Sequence, residues 1–177
     1  MMPVGPLMKE HRLIERMIKI MKLQTEDIKK ENKVDPLFVD TVVDFIKTYA
    51  DQCHHGKEED ILFRSLAQKD ISAEHKRMMQ ELIEEHKMGR NNVKKLAEAK
   101  EEYVGGSQDA LKEILSNLET LAKFYPQHIE KEDKHFFIPC MEYFTEEERD
   151  KMLDAMGEFD RNMIHGKYRE IVQNYEK

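Results

Sequence analysis

The sequence predicts an all-α fold, namely an up-down-up-down four-helix bundle with an additional C-terminal helical segment. Charged residues make up 37% of the chain and apolar residues 40%, with only seven Gly and five Pro, which is typical of long helices with charged outer faces. Apolar residues recur every three or four positions, and no stretch shows the alternation of a strand. We expect residues 1–140 to form the bundle and 141–177 an appendage packed on it, all within one domain.

The first two helices follow from start signals and from the spacing of apolar residues. Pro6 suits the first turn of a helix, and Asp35 before Pro36 predicts an N-cap for the second helix. The buried face of the first helix contains Leu7, His11, Ile14, Ile18 and Met21. The buried face of the second contains Val39, Val43, Ile46, Ala50, His54, Glu58 and Ile61. Each face therefore carries polar residues within an apolar stripe.

The later helices show the same pattern. Ser72 predicts an N-cap for the third helix, and Gly105-Gly106 predicts the break before the fourth. The third stripe contains Met79, Leu82, His86, Gly89, Val93 and Leu96, and the fourth contains Leu111, Ile114, Leu118, Leu121, Tyr125, His128 and Glu132. Thr145 with Glu148 forms a capping-box signature for the appendage, in which Gly157 is a candidate break.

A histidine followed four residues later by a glutamate occurs twice, as His54/Glu58 and His128/Glu132. Positions i and i+4 share one face of a helix, so both side chains of a pair can bind one metal ion. Imidazole nitrogen with carboxylate oxygen suits iron, zinc or manganese, and a carboxylate can also bridge two ions. Two such pairs predict a site for two metals.

The turns between helices place four histidines at a similar depth in the bundle. With turns near residues 34, 70 and 106, seam histidines of neighbouring helices differ in depth by at most about three residues, or ~3–5 Å at the helical rise. A single seam histidine is more often a hydrogen-bonded core residue, but four at one level, with two buried carboxylates, favour a metal site. The predicted ligands are His11, His54, Glu58, His86, His128 and Glu132.

Three further side chains are candidates of lower rank. His55 with Glu59 repeats the pair spacing but points about 100° away from His54 on an α-helix, so only one register can face inward. The match to the second pair favours His54, and we expect His55 to face away. His165 in the appendage could fold back as an additional ligand. Tyr125 is either a hydrogen-bond donor or ligand at the site, or a packed aromatic.

At these residues the sequence resembles the hemerythrin-like proteins of the HHE cation-binding family. The resemblance covers roughly residues 7–139. The matching pieces are Glu10 to Glu15, Cys53 to Glu59 with Leu62-Phe63, Glu85 to Lys87, and His128 to Phe137. It implies a left-handed up-down bundle holding a non-haem di-iron centre, bridged by two carboxylates and an oxo or hydroxo group. Carried over, His11 and His54 serve one iron and His86 and His128 the other, with Glu58 and Glu132 bridging.

One departure from the oxygen-carrying hemerythrins bears on function. Those proteins place two histidines four residues apart on the third helix, whereas the residue four before His86 is Leu82. Four seam histidines remain, or five if His165 substitutes. Fewer nitrogen ligands leave more open positions on the metal, which favours reactivity or sensing over reversible oxygen carriage.

The functional prediction is a di-iron protein that binds or senses dioxygen or a related small oxidant such as nitric oxide or peroxide. The alternatives are a di-iron redox enzyme (oxidase, peroxidase or nitric oxide reductase), which needs an unidentified redox partner, an iron sensor, and a helical bundle without metal. A ferritin-like store is disfavoured because such sites use paired Glu-x-x-His motifs and more carboxylates.

Composition excludes other classes of protein. The net charge is −7 with acidic and basic residues interleaved, so no basic stripe is present to bind nucleic acid. Neither a signal peptide nor a membrane-spanning apolar run is recognisable. Cys53 and Cys140 are too few and too far apart for a disulfide framework, and we expect a reducing, cytoplasmic setting.

Overall fold

A computed structural model of the chain describes the backbone of residues 2–175 and the side chains of residues 2–163. This part of the chain forms five helices and no strand, so the all-helical prediction is confirmed. Helix α1 is Val4–Glu31, α3 is Ala73–Val104 and α5 is Glu146–Tyr175. Helix α2 comprises Pro36–Asp44, the π-helices Phe45–His55 and Glu58–Phe63, and Arg64–Leu66. Helix α4 comprises Ala110–Lys131, the π-helix Glu132–Phe136, Phe137–Cys140 and a 3₁₀ turn at Met141–Tyr143.

The helix starts are confirmed where the sequence predicted side-chain caps. The Asp35 carboxylate accepts a hydrogen bond from the Leu37 amide at 3.0 Å, and the Ser72 hydroxyl accepts one from the His75 amide at 3.1 Å. Thr145 and Glu148 form the reciprocal capping box, with bonds of 2.9 and 3.3 Å. These bonds satisfy amides that have no partner within the helix.

Two glycines differ in their effect on the helices. Gly106, at a φ of 99°, lies in the turn between α3 and α4, in a region that glycine adopts without strain. Gly157, the candidate break in the appendage, does not interrupt the helix, because α5 continues through it. A single glycine inside a helix costs only about 1 kcal/mol relative to alanine, which the rest of a long helix outweighs.

The core consists of two apolar clusters on either side of a buried polar layer. The first cluster includes Ile18, Ile46, Val93 and Leu118, and the second includes Leu7, Phe63, Leu82 and Phe136. Along α1 and α3 the chain passes from the second cluster through the polar layer to the first. Along α2 and α4 it passes through them in the opposite order. Each of the four helices therefore delivers its polar residues to one level.

The π-helical segments coincide with this polar layer. In α2 the Gly56 amide donates to the Asp51 carbonyl, five residues back, as a π-helix requires. The segments Phe45–His55 and Glu58–Phe63 carry the polar residues of α2, and Glu132–Phe136 begins at a polar residue of α4. Such widened turns change the directions in which successive side chains leave the helix, and they are frequent at functional sites.

Helix α5 packs on the widened part of α2. The ring of Phe159 lies over Gly56, so that a Cβ there would come within 2.7 Å of the Phe159 Cζ atom. Met152 and Met156 of α5 are buried in the second apolar cluster. None of the helices in the described residues is long and apolar enough to cross a membrane.

The contact at Gly56 predicts opposite effects for two glycine-to-alanine changes. Gly56→Ala should lower the free energy of unfolding by about 1–2 kcal/mol, because the added methyl group displaces the Phe159 ring. Gly157→Ala, where a Cβ would come no closer than 3.7 Å to Arg161, should raise it by about 0.5–1 kcal/mol. Urea unfolding of the metal-free protein measures both, and a stabilised G56A variant would contradict the packing of α5.

Candidate metal centre

Seven side chains of types that can bind a metal are buried together between the two apolar clusters. Each is at most 2% exposed to solvent: His11, His54, His55, His86, His128, Glu58 and Glu132. Helices α1 and α3 each supply one histidine, α2 supplies two histidines and a glutamate, and α4 supplies a histidine and a glutamate. Charged and polar side chains are rarely buried to this extent without partners, so the layer requires an explanation.

The ligand atoms of these residues form two groups in the described part of the chain. Within each group all ligand atoms lie within 4.8 Å of one another. The first group consists of His11, His54, Glu58 and Glu132, and the second of His55, Glu58, His86 and His128. Glu58 belongs to both groups, so its carboxylate lies where it could bridge two ions.

The atoms that face the centre of these groups have no hydrogen-bond partner. They are Nε2 of all five histidines and both carboxylate oxygens of Glu58 and Glu132. The oxygens do approach imidazole nitrogens, at 3.1 Å for Glu58 and His54 and 3.3 Å for Glu132 and His128, but without hydrogen-bond geometry. Burying such atoms unpartnered is costly. A metal ion would satisfy both kinds of atom, so these residues fit a metal centre.

The opposite nitrogen of every one of these rings is held by a carboxylate. The distances from Nδ1 to oxygen are 2.7 Å for His11–Asp133, 2.9 Å for His54–Glu10, 2.6 Å for His86–Glu59, 2.8 Å for His128–Glu85 and 3.3 Å for His55–Asp51. A carboxylate at Nδ1 fixes the orientation of the ring and directs Nε2 toward a metal. This arrangement is typical of metal-binding histidines.

Four of these carboxylates link the helices in a closed ring. Glu10 of α1 holds His54 of α2, and Glu59 of α2 holds His86 of α3. Glu85 of α3 holds His128 of α4, and Asp133 of α4 returns to His11 of α1. Each of the four acids directly precedes or follows a histidine or glutamate of the centre in sequence. The helices therefore position one another's ligands.

A cation lies on the outer side of each carboxylate. Arg12 pairs with Asp133, Lys57 with Glu10, Lys131 with Glu85, and Arg90 with both Asp51 and Glu59 at 2.8 Å each. Such charge-assisted hydrogen bonds are shorter and stronger than neutral ones. They help to hold the carboxylates in place.

Lys57 occupies a third cluster of potential ligands. Glu10, Cys53 and Asp160 lie close enough together to hold a cation. The Lys57 side chain is fully buried there, and its ammonium group binds Glu10 and, at 2.7 Å, Asp160 of α5. The lysine itself thus supplies the positive charge of this cluster. Burial raises the pKa of the Cys53 thiol to about 12, which keeps it protonated.

The two central carboxylates make the layer attractive to cations. Burial opposes the charged form of His11, but its hydrogen bond with Asp133 and its contact with Glu132 raise its pKa to about 10. The same balance raises the pKa of His86 to about 11, through Glu132 and Glu58. By contrast, burial and the neighbouring His86 hold the pKa of His55 well below its usual value. Metal cations and protons therefore compete for the same nitrogens.

The structure brings together all six residues predicted as ligands, and it adds one. The expectation that His55 faces away from the bundle interior is wrong, since its ring is buried and stacks on His86 with centroids 3.9 Å apart. The expectation used α-helical geometry, whereas this stretch of α2 is π-helical. Tyr125 is buried near His55 but belongs to neither ligand group, and the side chain of His165 lies outside the described residues.

Comparison with known proteins agrees with the geometry. The model of the hemerythrin HHE cation binding domain matches residues 2–138, which is more than half of the chain. No curated protein and no solved structure gave a significant match. The matched region contains all seven buried residues of the two groups. The chain belongs to the hemerythrin HHE cation-binding domain family, and its buried His/Glu cluster is able to hold metal.

Proposed function

We propose that this chain is a di-iron protein that binds or senses dioxygen or a related small oxidant, such as nitric oxide or peroxide. The observation that carries the proposal is the set of unpartnered Nε2 and carboxylate atoms that converge in two adjoining groups. Two groups sharing one carboxylate suit two ions, and imidazole with carboxylate is a ligand set of non-haem iron. The reversal of cluster order along successive helices supports an up-down-up-down bundle around them.

The two groups differ in composition, so two metals bound there would have different sets of ligands. His11 and His54 with Glu58 and Glu132 provide two nitrogens, whereas the second group provides three nitrogens with Glu58. Glu58 would be the residue shared by two bound metals, and Glu132 is close to both groups, since its oxygens lie 3.2 Å from His11 and 3.3 Å from His128. The metal with fewer nitrogen ligands has more room for an external ligand.

The side chains around the ligands would hold them in fixed positions for a reaction with a small oxidant. When bound, ferrous iron supplies the electrons and the open coordination positions that reaction with an oxidant requires. The carboxylates at Nδ1 fix the five rings, and the outer cations fix the carboxylates. The apolar clusters above and below exclude bulk water, so the ligands change little in position when charge at the metals changes.

Reconstitution with ferrous iron without oxygen, followed by admission of air, tests the oxygen reaction. We expect a new absorption band in the near-ultraviolet or visible range on exposure, together with consumption of dioxygen. Continued consumption with a reductant would favour the di-iron enzyme, whereas a single stoichiometric reaction would favour the binder or sensor. An iron-loaded protein whose spectrum is indifferent to oxygen, nitric oxide and peroxide would contradict the proposal.

A substitution of His55 tests metal binding in the second group independently of the first. Because His55 belongs to the second group alone, His55→Leu should reduce the metal content from about two ions per chain to about one. Metal analysis after dialysis measures this ratio. The matched control is His135→Leu, since His135 is exposed and belongs to neither group. Unchanged metal content in H55L would remove His55 from the centre.

A further inference from the structure

Helix α5 packs against the stretch of α2 that carries metal ligands. Residues of α2 that contact α5 in this stretch include Cys53, Gly56 and Lys57. His54 and His55, which belong to the two ligand groups, lie among these residues in sequence. Gly56 and Lys57 also lie at the junction of the two π-helical segments of α2. A shift of α5 would therefore disturb the backbone next to the ligands.

The Asp160 carboxylate of α5 binds two of these residues. One of its oxygens accepts a hydrogen bond from the Cys53 thiol at 3.4 Å, and the same oxygen lies 2.7 Å from the Lys57 ammonium group. Lys57 also pairs with Glu10, whose carboxylate binds Nδ1 of His54 at 2.9 Å. Two side chains thus connect Asp160 with a ligand of the first group.

We propose that Asp160 is a positioning residue for the first ligand group, so that docking of α5 on α2 and binding of a metal in that group favour each other. The inference rests on the metal centre proposed above but not on the identity of the oxidant. With α5 docked, Lys57 is fully buried and holds Glu10 in place, which orients His54 before a metal arrives. Coupling between two binding events is reciprocal, so a metal on His54 stabilises the docked α5 in turn.

The second ligand group is supported by a similar contact that uses a different helix. Lys131 and Glu85 repeat for His128 the arrangement described for His54. Lys131 is 27% exposed, however, and its further acidic partner, at 3.5 Å, is Glu81 of α3 rather than a residue of α5. We therefore expect α5 to affect the metal of the first group more strongly than that of the second.

Asp160→Asn removes the charge of this contact and keeps the size of the side chain. Loss of a residue that only supports a ligand typically weakens metal binding by about 10–100-fold. Because Asp160 acts through two further side chains, we expect the low end, about tenfold, for one of the two metals. Competition with a ferrous-iron chelator without oxygen measures both affinities. Asp154→Asn is the matched control, since Asp154 is exposed on the same helix, and Asp160→Glu, which keeps the carboxylate, should retain most of the affinity.

Hydrogen exchange of backbone amides tests the reverse effect without any reaction at the metals. The amides compared are those of α5 that exchange faster than the core of α3, and thus by local opening. Ferrous iron added without oxygen should slow their exchange by about tenfold in the wild type and in D154N, the same factor as for affinity. In D160N iron should change it much less. If Asp160 only stabilised α5, D160N would exchange faster by the same factor with and without iron, and its affinity for iron would be unchanged.

Equal iron affinities of D160N and D154N, or exchange in wild-type α5 that iron leaves unchanged, would overturn the proposal. Phe159→Leu weakens the contact of α5 with Gly56 and replaces D160N if that variant does not fold. A wild type that binds no iron would refute the metal centre, and this inference with it. A wild type that shows the coupling but does not react with oxygen, nitric oxide or peroxide would refute the proposed function and leave this inference intact.

Discussion

Replacing Glu58 with glutamine is expected to remove most of the metal from both groups at once. Glu58 is fully buried and is the residue that the two groups share, so its loss removes one oxygen ligand and one negative charge from each. Loss of a residue that only supports a ligand typically weakens metal binding by about 10–100-fold, and loss of a shared ligand should exceed that. Competition with a chromogenic chelator measures the affinity.

The control for this variant is Asp60→Asn, two residues further on. It makes the same change of charge on the same helix, but Asp60 is exposed and belongs to neither group. Its affinity for metal should equal that of the wild type. If E58Q retained two ions per chain with wild-type affinity, Glu58 could not bridge the centre, and the assignment of the two groups would be wrong.

The second large effect is expected at Lys57, away from the metals. Lys57→Met removes a buried ammonium group and leaves Glu10 and Asp160 without their cation. Removing one partner of a buried ion pair costs about 3–5 kcal/mol, and we expect the low end, about 3 kcal/mol, because Asp160 retains contact with solvent. Metal affinity should also fall, since Glu10 orients His54.

Lys131→Met provides an internal comparison, because Lys131 holds Glu85 as Lys57 holds Glu10. Lys131 is 27% exposed, so water can replace it and the loss of stability should be below about 1 kcal/mol. Urea unfolding of both metal-free variants measures the difference. Equal losses for K57M and K131M would show that burial of Lys57 and its contact with α5 contribute nothing to stability.

The Lys57 contact also gives α5 a role at the centre. The family model ends at residue 138, yet Asp160 of α5 binds the lysine that holds Glu10, and Phe159 packs on Gly56. A chain of ion pairs and hydrogen bonds thus runs from Asp160 through Lys57 and Glu10 to His54. The C-terminal helix therefore supports the geometry of α2 at the point where its ligands lie.

Much of the centre could be predicted from spacing alone. The pairs His54/Glu58 and His128/Glu132 share a helix face, and counting residues from the turns predicted that four histidines would reach one level. In the structure the rings of His11 and His54 lie 4.5 Å apart between centroids, and those of His86 and His128 lie 5.0 Å apart. Such spacing depends only on helical rise and on the positions of turns, which the sequence records directly.

The features that were not predicted depend on backbone geometry and on contacts between helices. An α-helix turns by about 100° per residue, which predicts that His55 faces outward, and nothing in its local sequence marks a π-helix. One signal was available, because Asp51 precedes it by four residues and could hold its ring. The burial of Lys57 could not be predicted from the sequence around it, since Lys57 stands in a polar run. Its partner Asp160 lies far along the chain.

We propose that two metals bind in the two adjoining groups. The most direct test is anomalous diffraction at the iron edge from crystals of the iron-loaded protein. We expect two iron peaks per chain, one among His11, His54, Glu58 and Glu132 and the other among His55, Glu58, His86 and His128. A single peak, or iron bound outside this buried layer, would contradict it.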